Sequence, residues 1–492
     1  ERFGQSVEVD ERTAWELYYP PFEAAVEAGV GAFMCAYNRV NGTFACHSPA
    51  LLQRDLKGTM GFSGFVLSDW GASHGADAID KGLDQEMPGV LEPGTPAIDV
   101  LVDHFSDAAL ASREASASAA ALRVLTSVYR LRLDEDTSDG CVPPACRPER
   151  ASSQTSDAHA ALARRAAAEA TVLLKNSGVL PLQAGRVRRM AVLGDAADSA
   201  RYFAGGGSGN VPLRDPVTPL AALRARAAAA GIDVVTEAGD VDVAVVVAGV
   251  LSSEGFDRES LSLGADTDAL VASVARRVPT VVVLLTAGVV LTPWREDAEA
   301  ILSLFLGGQA TGDAVADVLF GDAAPEGRLP VMFPASASDA ITPGGAGDVP
   351  YAEGLRTSYR SPAFKAAFPF GHGLSYTTFE FSQLAALPGA APGCEAGAAR
   401  CLQVRVANVG QREGREAVQA YLQFDGATQT PRVLRGFRKT GLLAPGASEV
   451  VTLNFSPRGL SVYLPGAGWT LQRKVTVHVG ASSADIRGSV DL

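Results

Sequence analysis

GFSGFVLSDWGA, residues 61–72, opens on a glycine-marked turn, runs through Phe65, Val66 and Leu67, and ends abruptly in Ser68, Asp69 and Trp70. A short continuous apolar run of this kind is what a parallel strand covered on both faces requires. A carboxylate and an indole at its tip are hard to explain by packing, whereas the carboxyl end of a strand is where α/β enzymes carry reacting groups. Trp70 offers a flat apolar face suited to the C–H face of a sugar or to another ring. The alternative makes Asp69 the N-cap of a following helix and Trp70 a core residue, and spacing alone leaves both readings open.

The chain around this stretch has 492 residues, which predicts several domains rather than one core. A net charge of −13 without any Lys/Arg cluster argues against nucleic acid or an anionic membrane surface as partner. No apolar run approaches the roughly 20 residues needed to span a bilayer, so no membrane insertion is expected. The two longest, VDVAVVVAGV (241–250) and VPTVVVLLTAGVVL (278–291), are rich in β-branched residues and read as buried strands. Six cysteines fall into three local pairs, Cys35/Cys46, Cys141/Cys146 and Cys394/Cys401, without the spacing or histidine companions of a zinc site. They read as three small disulfide-closed loops, hence a secreted or periplasmic protein, with reduced buried thiols as the alternative.

Taken in order, residues 1–135 alternate helix and strand. Helical spacing of Trp15, Leu17, Tyr18 and Phe22 predicts a helix over 10–28, interrupted at Pro20-Pro21. A strand follows over 30–37, a helix over 50–58 started by Ser48-Pro49, the Asp69 strand, and helices over 77–83 and 97–131. Two strand–helix units are half or less of an eightfold barrel. Residues 136–156 read as a linker, and a regular helix is predicted over 157–170. Apolar runs in TVLLKN, MAVLGD, DVVTE, VDVAVVVAGV, TVVVLLT and AILSLFL then alternate with helices over 221–230, 266–277 and 312–320, which predicts an α/β sandwich domain with helices on both faces. From residue 377 the pattern becomes short alternating strands between Gly/Pro turns, the signature of an antiparallel β-sandwich.

The flanks of the opening stretch, MCAYNRVNGTFAC (34–46) and KGLDQEMPG (81–89), together with SDWGA, resemble the nucleophile region of glycoside hydrolase family 3, the β-glucosidases and β-xylosidases. LLKNSGVLPL, AVLGD, GGGSGNV, ADVLFGDAAPEGRLPVMFP and FPFGHGLSYTTF extend that resemblance across almost the whole chain. The resemblance implies three domains. Residues 1–135 would be the C-terminal part of a (β/α)8-type barrel with the nucleophile, 157–376 an α/β sandwich with the acid/base, and 377–492 a fibronectin type III-like β-sandwich. It also implies that ERFGQSVEVDERT (1–13) normally follows earlier barrel strands bearing a Lys-His motif. The expectation is therefore a fragment that, alone, is unstable or inactive, because a barrel without its early strands leaves edges unpaired.

Retaining glycoside hydrolysis needs two carboxyl groups about 5 Å apart, one an ionised nucleophile and one held protonated as acid/base. The resemblance implies that Asp69 is the nucleophile. Its SEG-x-DR pattern puts the acid/base at Glu254, in SSEGFDRESLSL (252–263), with Asp257 and Arg258 as an ion pair fixing the loop. A charged loop directly after a buried strand sits at the carboxyl edge of the sheet; the alternative is that these are only solvated loop charges. Tyr37 is expected to hydrogen-bond the nucleophile, or else to be a core tyrosine. Trp70 would line the sugar site, Met87 approach it as a packing residue, and Ser208 hydrogen-bond Glu254 or substrate, while Glu86 reads as a loop ion pair. GGGSG (205–209) lies well after MAVLGD and leads into Asn-Val-Pro, so it does not fit a dinucleotide fingerprint. No metal and no cofactor are expected. The expected function is a retaining exo-acting β-glycosidase, β-glucosidase first, acting on β-linked oligosaccharides or aryl and alkyl β-glycosides. A β-xylosidase and a non-catalytic carbohydrate-binding scaffold are the rivals.

Overall fold

A computed structural model describes residues 2–89, 104–135, 153–345, 347–424 and 430–492, so Cys141, Cys146 and most of the expected linker lie outside the described residues. The chain divides into two compact units: residues 1–154 with 342–355 and 463–468, and residues 155–341 with 356–462 and 469–492.

In the first unit, five short strands precede residue 70: β1 (Gln5–Glu8), β2 (Ala32–Cys35), β3 (Arg39–Val40), β4 (Thr43–Phe44) and β5 (Phe65–Ser68). β1 runs parallel to β3 and to the later strand Gly347–Pro350, and β3 turns back into β4. β2 and β5 form a separate parallel pair, Ala32 opposite Phe65 through Cys35 opposite Ser68. A parallel pair needs a crossover, and here it contains the helical segment Ala50–Thr59, wound with i→i+5 bonds as a π-helix. Leu52, Leu56, Phe62, Val66, Ala78 and Leu83 pack together beneath the pair. The expected helix over 10–28 breaks at the prolines, and Pro20 opens a new helix, Pro20–Glu27, at the position where its missing N–H costs nothing. Residues 97–103 of the expected helix over 97–131 lie outside the described residues, and the rest holds two helices, Asp107–Ala111 and Glu114–Arg130, because Arg113 leaves the helical region at φ −132°, ψ 37°. The second is moored to the strand start by Ser127 Oγ donating to the Gly31 carbonyl at 2.7 Å.

The second unit is built on a six-stranded sheet of β6 (Val172–Asn176), β7 (Arg189–Leu193), β8 (Asp233–Val235), β9 (Val243–Val250), β10 (Thr280–Thr286) and β11 (Ala300–Ser303). Its order is β6-β11-β10-β9-β7-β8, parallel except for β6, which runs against β11 at the edge. Because side chains alternate faces, Val245 and Val247 of β9 meet Leu223 and Leu319 from the helices Pro219–Ala229 and Thr311–Phe320. Val246 and Ala248 face the other way, toward Val271, Val274 and Trp294. That two-sided burial is why these strands read as unbroken apolar runs.

A β-sandwich completes the unit. Phe379–Pro388, Arg400–Asn408 and Ser448–Phe455 form one antiparallel sheet, and Val433–Lys439, Ala417–Phe424, Val475–Gly480 and Ile486–Asp491 the other. Phe379–Pro388, Ser448–Phe455, Val433–Lys439 and Ile486–Asp491 are the edge strands of the two sheets. The sandwich meets the α/β layers through buried charge. Arg328 Nη2 lies 2.6 Å from Glu416 Oε1, and Glu326 accepts from Arg415 at 2.8 Å and pairs with Lys439. Cys35–Cys46 and Cys394–Cys401 are disulfides, two of the three expected pairs.

The Arg328–Glu416 pair generates a stability prediction. The Glu416 side chain is only 6% exposed, so Arg328→Ala leaves a buried carboxylate with the Ala417 N–H at 2.8 Å and Arg487 at 4.0 Å as its remaining partners and lowers unfolding free energy by about 3 kcal/mol. Arg276→Ala, at an exposed pair with Asp297, costs under about 1 kcal/mol. Urea denaturation of both variants measures the difference.

Candidate active site

β5 stops being a strand where its side chains become polar. The main chain holds one residue further, with the Asp69 N–H donating to the Cys35 carbonyl at 3.2 Å. It then turns: the Ala72 N–H returns to the Asp69 carbonyl at 3.0 Å, and Gly71, third in the turn, has φ +74°. A positive φ at that position is the reason for a glycine after the tryptophan. Asp69 Oδ1 accepts from the Trp70 N–H at 2.7 Å, and its carboxylate is half-buried. The following helix, Ala78–Lys81, has Asp77 as its N-cap residue, and Trp70 is 43% exposed. Both parts of the packing alternative therefore fail: Asp69 caps no helix, and Trp70 is not in the core.

The turn leans on residues 85–87. The Ser68 N–H donates to the Gln85 carbonyl at 2.9 Å, and the Gly71 N–H to the Met87 carbonyl at 3.0 Å. The Met87 N–H donates to Ser68 Oγ at 2.8 Å. Met87 is thus fixed by its main chain, and its side chain is half-buried beside the turn. Glu86 is buried and accepts from Ser73 Oγ and from the Phe105 N–H, with His104 Nδ1 3.2 Å away, so it is engaged by its own loop. Tyr37 stands two residues past β2, half-buried, its ring 4.7 Å from that of Phe3 and tilted by 59°. Beyond the turn, His47 Nε2 sits 3.0 Å from Asp77 Oδ2, and that hydrogen bond holds the Asp77 carboxyl below its ordinary range. His74 stacks on Phe44 at 3.6 Å; burial, with His47 and His104 nearby, lowers its pKa.

Glu254 belongs to the second unit. Sequence order runs outward from β7 to β8 and then back to β9 on the other side of β7. That reversal leaves a crevice at the carboxyl ends of β7 and β9, the general location of ligand sites in open α/β sheets. The segment after β7 contains GGGSG, and the segment after β9 contains Glu254. The two are laced together: the Gly206 N–H donates to the Ser252 carbonyl at 2.9 Å, and the Glu254 N–H to the Gly206 carbonyl at 3.1 Å. The Ser208 N–H then donates to Glu254 Oε2 at 2.7 Å. Ser208 therefore reaches Glu254, as expected, but through its backbone rather than its hydroxyl. Gly207 has φ +92°, and a methyl group on it would stand 2.8 Å from Glu254 Oε2. Glycine there allows the close approach.

The Asp257–Arg258 ion pair is corrected. Arg258 turns inward and donates to the Val289 carbonyl at 2.8 Å, its Nη1 buried without a partner, while Asp257 is exposed. Burial alone lowers the Arg258 pKa. The inward turn follows from Leu261, whose carbonyl accepts from Leu291 N–H and draws this loop along the segment after β10. Nearby, Tyr202 donates to Asp195 just after β7, and burial with that hydrogen bond pushes its pKa up to about 12. Among the described residues no group of three or more His, Cys, Asp or Glu side chains is arranged to hold a metal ion.

Sequence comparison bears on both units. Residues 4–101 match the glycosyl hydrolase family 3 N-terminal domain, 171–376 the family 3 C-terminal domain, and 416–483 a fibronectin type III-like domain. The probable β-glucosidase L of Emericella nidulans is 33% identical, over 98% of this chain and 73% of its own length. The chain belongs to glycosyl hydrolase family 3. The thermostable β-glucosidase B of Acetivibrio thermocellus is 34% identical to this family 3 member over 97% of the chain, which spans 65% of that relative's length. The crystal structure of the β-D-glucoside glucohydrolase of Trichoderma reesei superposes with a TM-score of 0.87 at 30% identity, covering 100% of this chain and 76% of that one. The family 3 assignment makes the chain an O-glycosyl hydrolase with a multidomain α/β fold and a C-terminal β-sandwich.

What sequence reading missed in this family 3 chain is the main-chain role of Gly207 and Ser208. Three consecutive glycines were the available signal, since glycine runs mark close backbone approach. Gly207→Ala is expected to push Glu254 off the Ser208 N–H and to lower turnover of alkyl β-glycosides, which need leaving-group protonation, by about 10²-fold. Dinitrophenyl β-glycosides, whose leaving group needs no proton, should lose far less. Comparing kcat/KM, which reports formation of the glycosyl-enzyme, for the two substrates in wild type and variant checks this.

Proposed function

We propose that this family 3 glycosyl hydrolase is a retaining, exo-acting β-glucosidase that removes terminal non-reducing β-D-glucosyl residues. The observation that carries the proposal is the half-buried Asp69 carboxylate at the tip of a parallel strand buried on its Val66 face, beside an indole exposed enough to stack on a sugar. Asp69 attacks the anomeric carbon as its glycosidic oxygen leaves, and a covalent glycosyl-enzyme forms with inverted configuration. Glu254 gives its proton to the leaving oxygen. It then takes one from the water that attacks the glycosyl-enzyme, so the sugar departs as the β-anomer.

The remaining residues act on that sugar. Trp70 supports its C–H face, Tyr37 hydrogen-bonds Asp69, Met87 packs against the ring, and Ser208 contacts Glu254 and substrate. The domain division follows the same reading: a partial (β/α)8-type barrel over 1–135, a linker over 136–156, the acid/base domain over 157–376 and the fibronectin type III-like domain over 377–492. The two disulfides support a secreted or periplasmic location. The chemistry uses side chains alone and calls for no cofactor.

The test uses Asp69→Gly and Glu254→Gly in the full-length protein, with azide as added nucleophile. Asp69→Gly should be inactive until azide enters the vacated space and yields the α-glucosyl azide. Glu254→Gly should lose about 10²–10⁴-fold on substrates with poor leaving groups and yield the β-glucosyl azide. Product stereochemistry by NMR distinguishes them, and unchanged turnover in the Asp69 variant would end the assignment.

A further inference from the structure

Glu86 is a buried carboxylate that two-carboxylate chemistry does not use. Its side chain is 3% exposed. Its two oxygens accept from Ser73 Oγ and from the Phe105 N–H at 3.0 Å, and His104 Nδ1 lies 3.2 Å from both Oε1 and Ser73 Oγ. A carboxylate this far from water persists only where such partners are supplied.

What Glu86 is fastened to gives it a consequence. Ser73 is the first residue after the Asp69–Ala72 turn, so the Ser73–Glu86 bond pins the exit of the turn. The neighbours of Glu86 pin its entrance, Gln85 through the Ser68 N–H and Met87 through Ser68 Oγ and the Gly71 N–H. Residues 85–87 therefore grip both ends of the turn, the near end by main chain and the far end by one side chain. Asp69 lies between the grips. Its carboxylate accepts the Trp70 N–H at 2.7 Å from within the turn, so its aim follows the turn. Gly71, at the turn's centre, is the residue that most readily changes conformation if one grip is lost.

We propose that Glu86 is a positioning residue for Asp69, clamping the exit of the nucleophile turn through Ser73 so that the Asp69 carboxylate is aimed before substrate arrives. This rests on Asp69 being the nucleophile. Glu86 touches neither sugar nor leaving group. Its loss slows the step in which Asp69 forms a bond and leaves the strength of sugar binding alone.

The experiment traps the glycosyl-enzyme with 2,4-dinitrophenyl 2-deoxy-2-fluoro-β-D-glucoside, in wild type, Glu86→Gln and Ser73→Ala of the full-length protein. The limiting trapping rate is read alongside competitive inhibition by glucose. Glu86→Gln should trap about 10- to 100-fold more slowly with glucose inhibition at wild-type strength, and Ser73→Ala should shift the rate in the same direction by less. Should Glu86→Gln fail to fold, Ser73→Ala, which removes only a hydroxyl, decides alone. Wild-type trapping rates in the folded variants overturn the proposal, as does a parallel loss of glucose binding and melting temperature, which would mark a merely structural role. Peptide mapping of the trapped wild type separates the two readings: label on Asp69 keeps the nucleophile assignment whatever Glu86 does, and label elsewhere overturns the assignment and this proposal with it.

Discussion

A strand buried on both faces cannot bear charge until it ends, and much of this molecule follows from that constraint. β9, buried on both faces, runs eight residues without a polar side chain. β5 departs from the expected two-sided cover, with Val66 and Ser68 buried on one face and Phe65 and Leu67 half-buried on the other, yet it too carries no polar side chain before Ser68. Each gives way abruptly to a segment with an acidic residue, because the sheet edge is the first place along either strand where a carboxylate meets water or a donor. The protein then has to orient that group with little beyond main chain. Asp69 is met by the N–H of its own neighbour, and Glu254 by an N–H from a loop far away in sequence. In both cases glycine with positive φ, at 71 and at 207, makes the approach possible.

How much of this could be read in the sequence depended on how completely each element was buried. The central strands of the α/β sheet were legible because nothing but a two-sided core explains VDVAVVVAGV or TVVVLLT. Val433–Lys439 and Ile486–Asp491 in the β-sandwich were not, because VLRGFRK and IRGSVD carry arginine and glycine. Asp69 and Trp70 stood out because polar residues at the end of an apolar strand are conspicuous. The direction of Arg258 was invisible, since Asp257 beside it makes an ion pair the natural guess, and only tertiary structure offers the Val289 carbonyl instead. Glu86 was visible as a loop acid, but its partner Ser73 carries no sequence signal of its own.

The sandwich is joined to the α/β layers in a different idiom. Beside the aromatic contacts of Tyr421 with Tyr359 and Phe370, Glu326, Arg328, Arg415, Glu416 and Lys439 form a partly buried cluster of opposite charges. Gln419 adds side-chain bonds to the Gly371 and Ala481 carbonyls at 2.9 and 2.6 Å. Charge pairs of this kind are poor sources of net stability but punish any other alignment, since a slip strands a carboxylate in a dry environment. They fix register between the two layers.

The lacing of the glycine-rich segment to the Glu254 segment bears on how such chains can be recombined. The carboxylate and the amide that steadies it are encoded apart, with β8 and β9 between them. A hybrid gene whose crossover falls within that interval would draw the acid from one parent and its cradle from the other. Exchange among relatives keeps the pair matched only when residues 205–258 are inherited as a block.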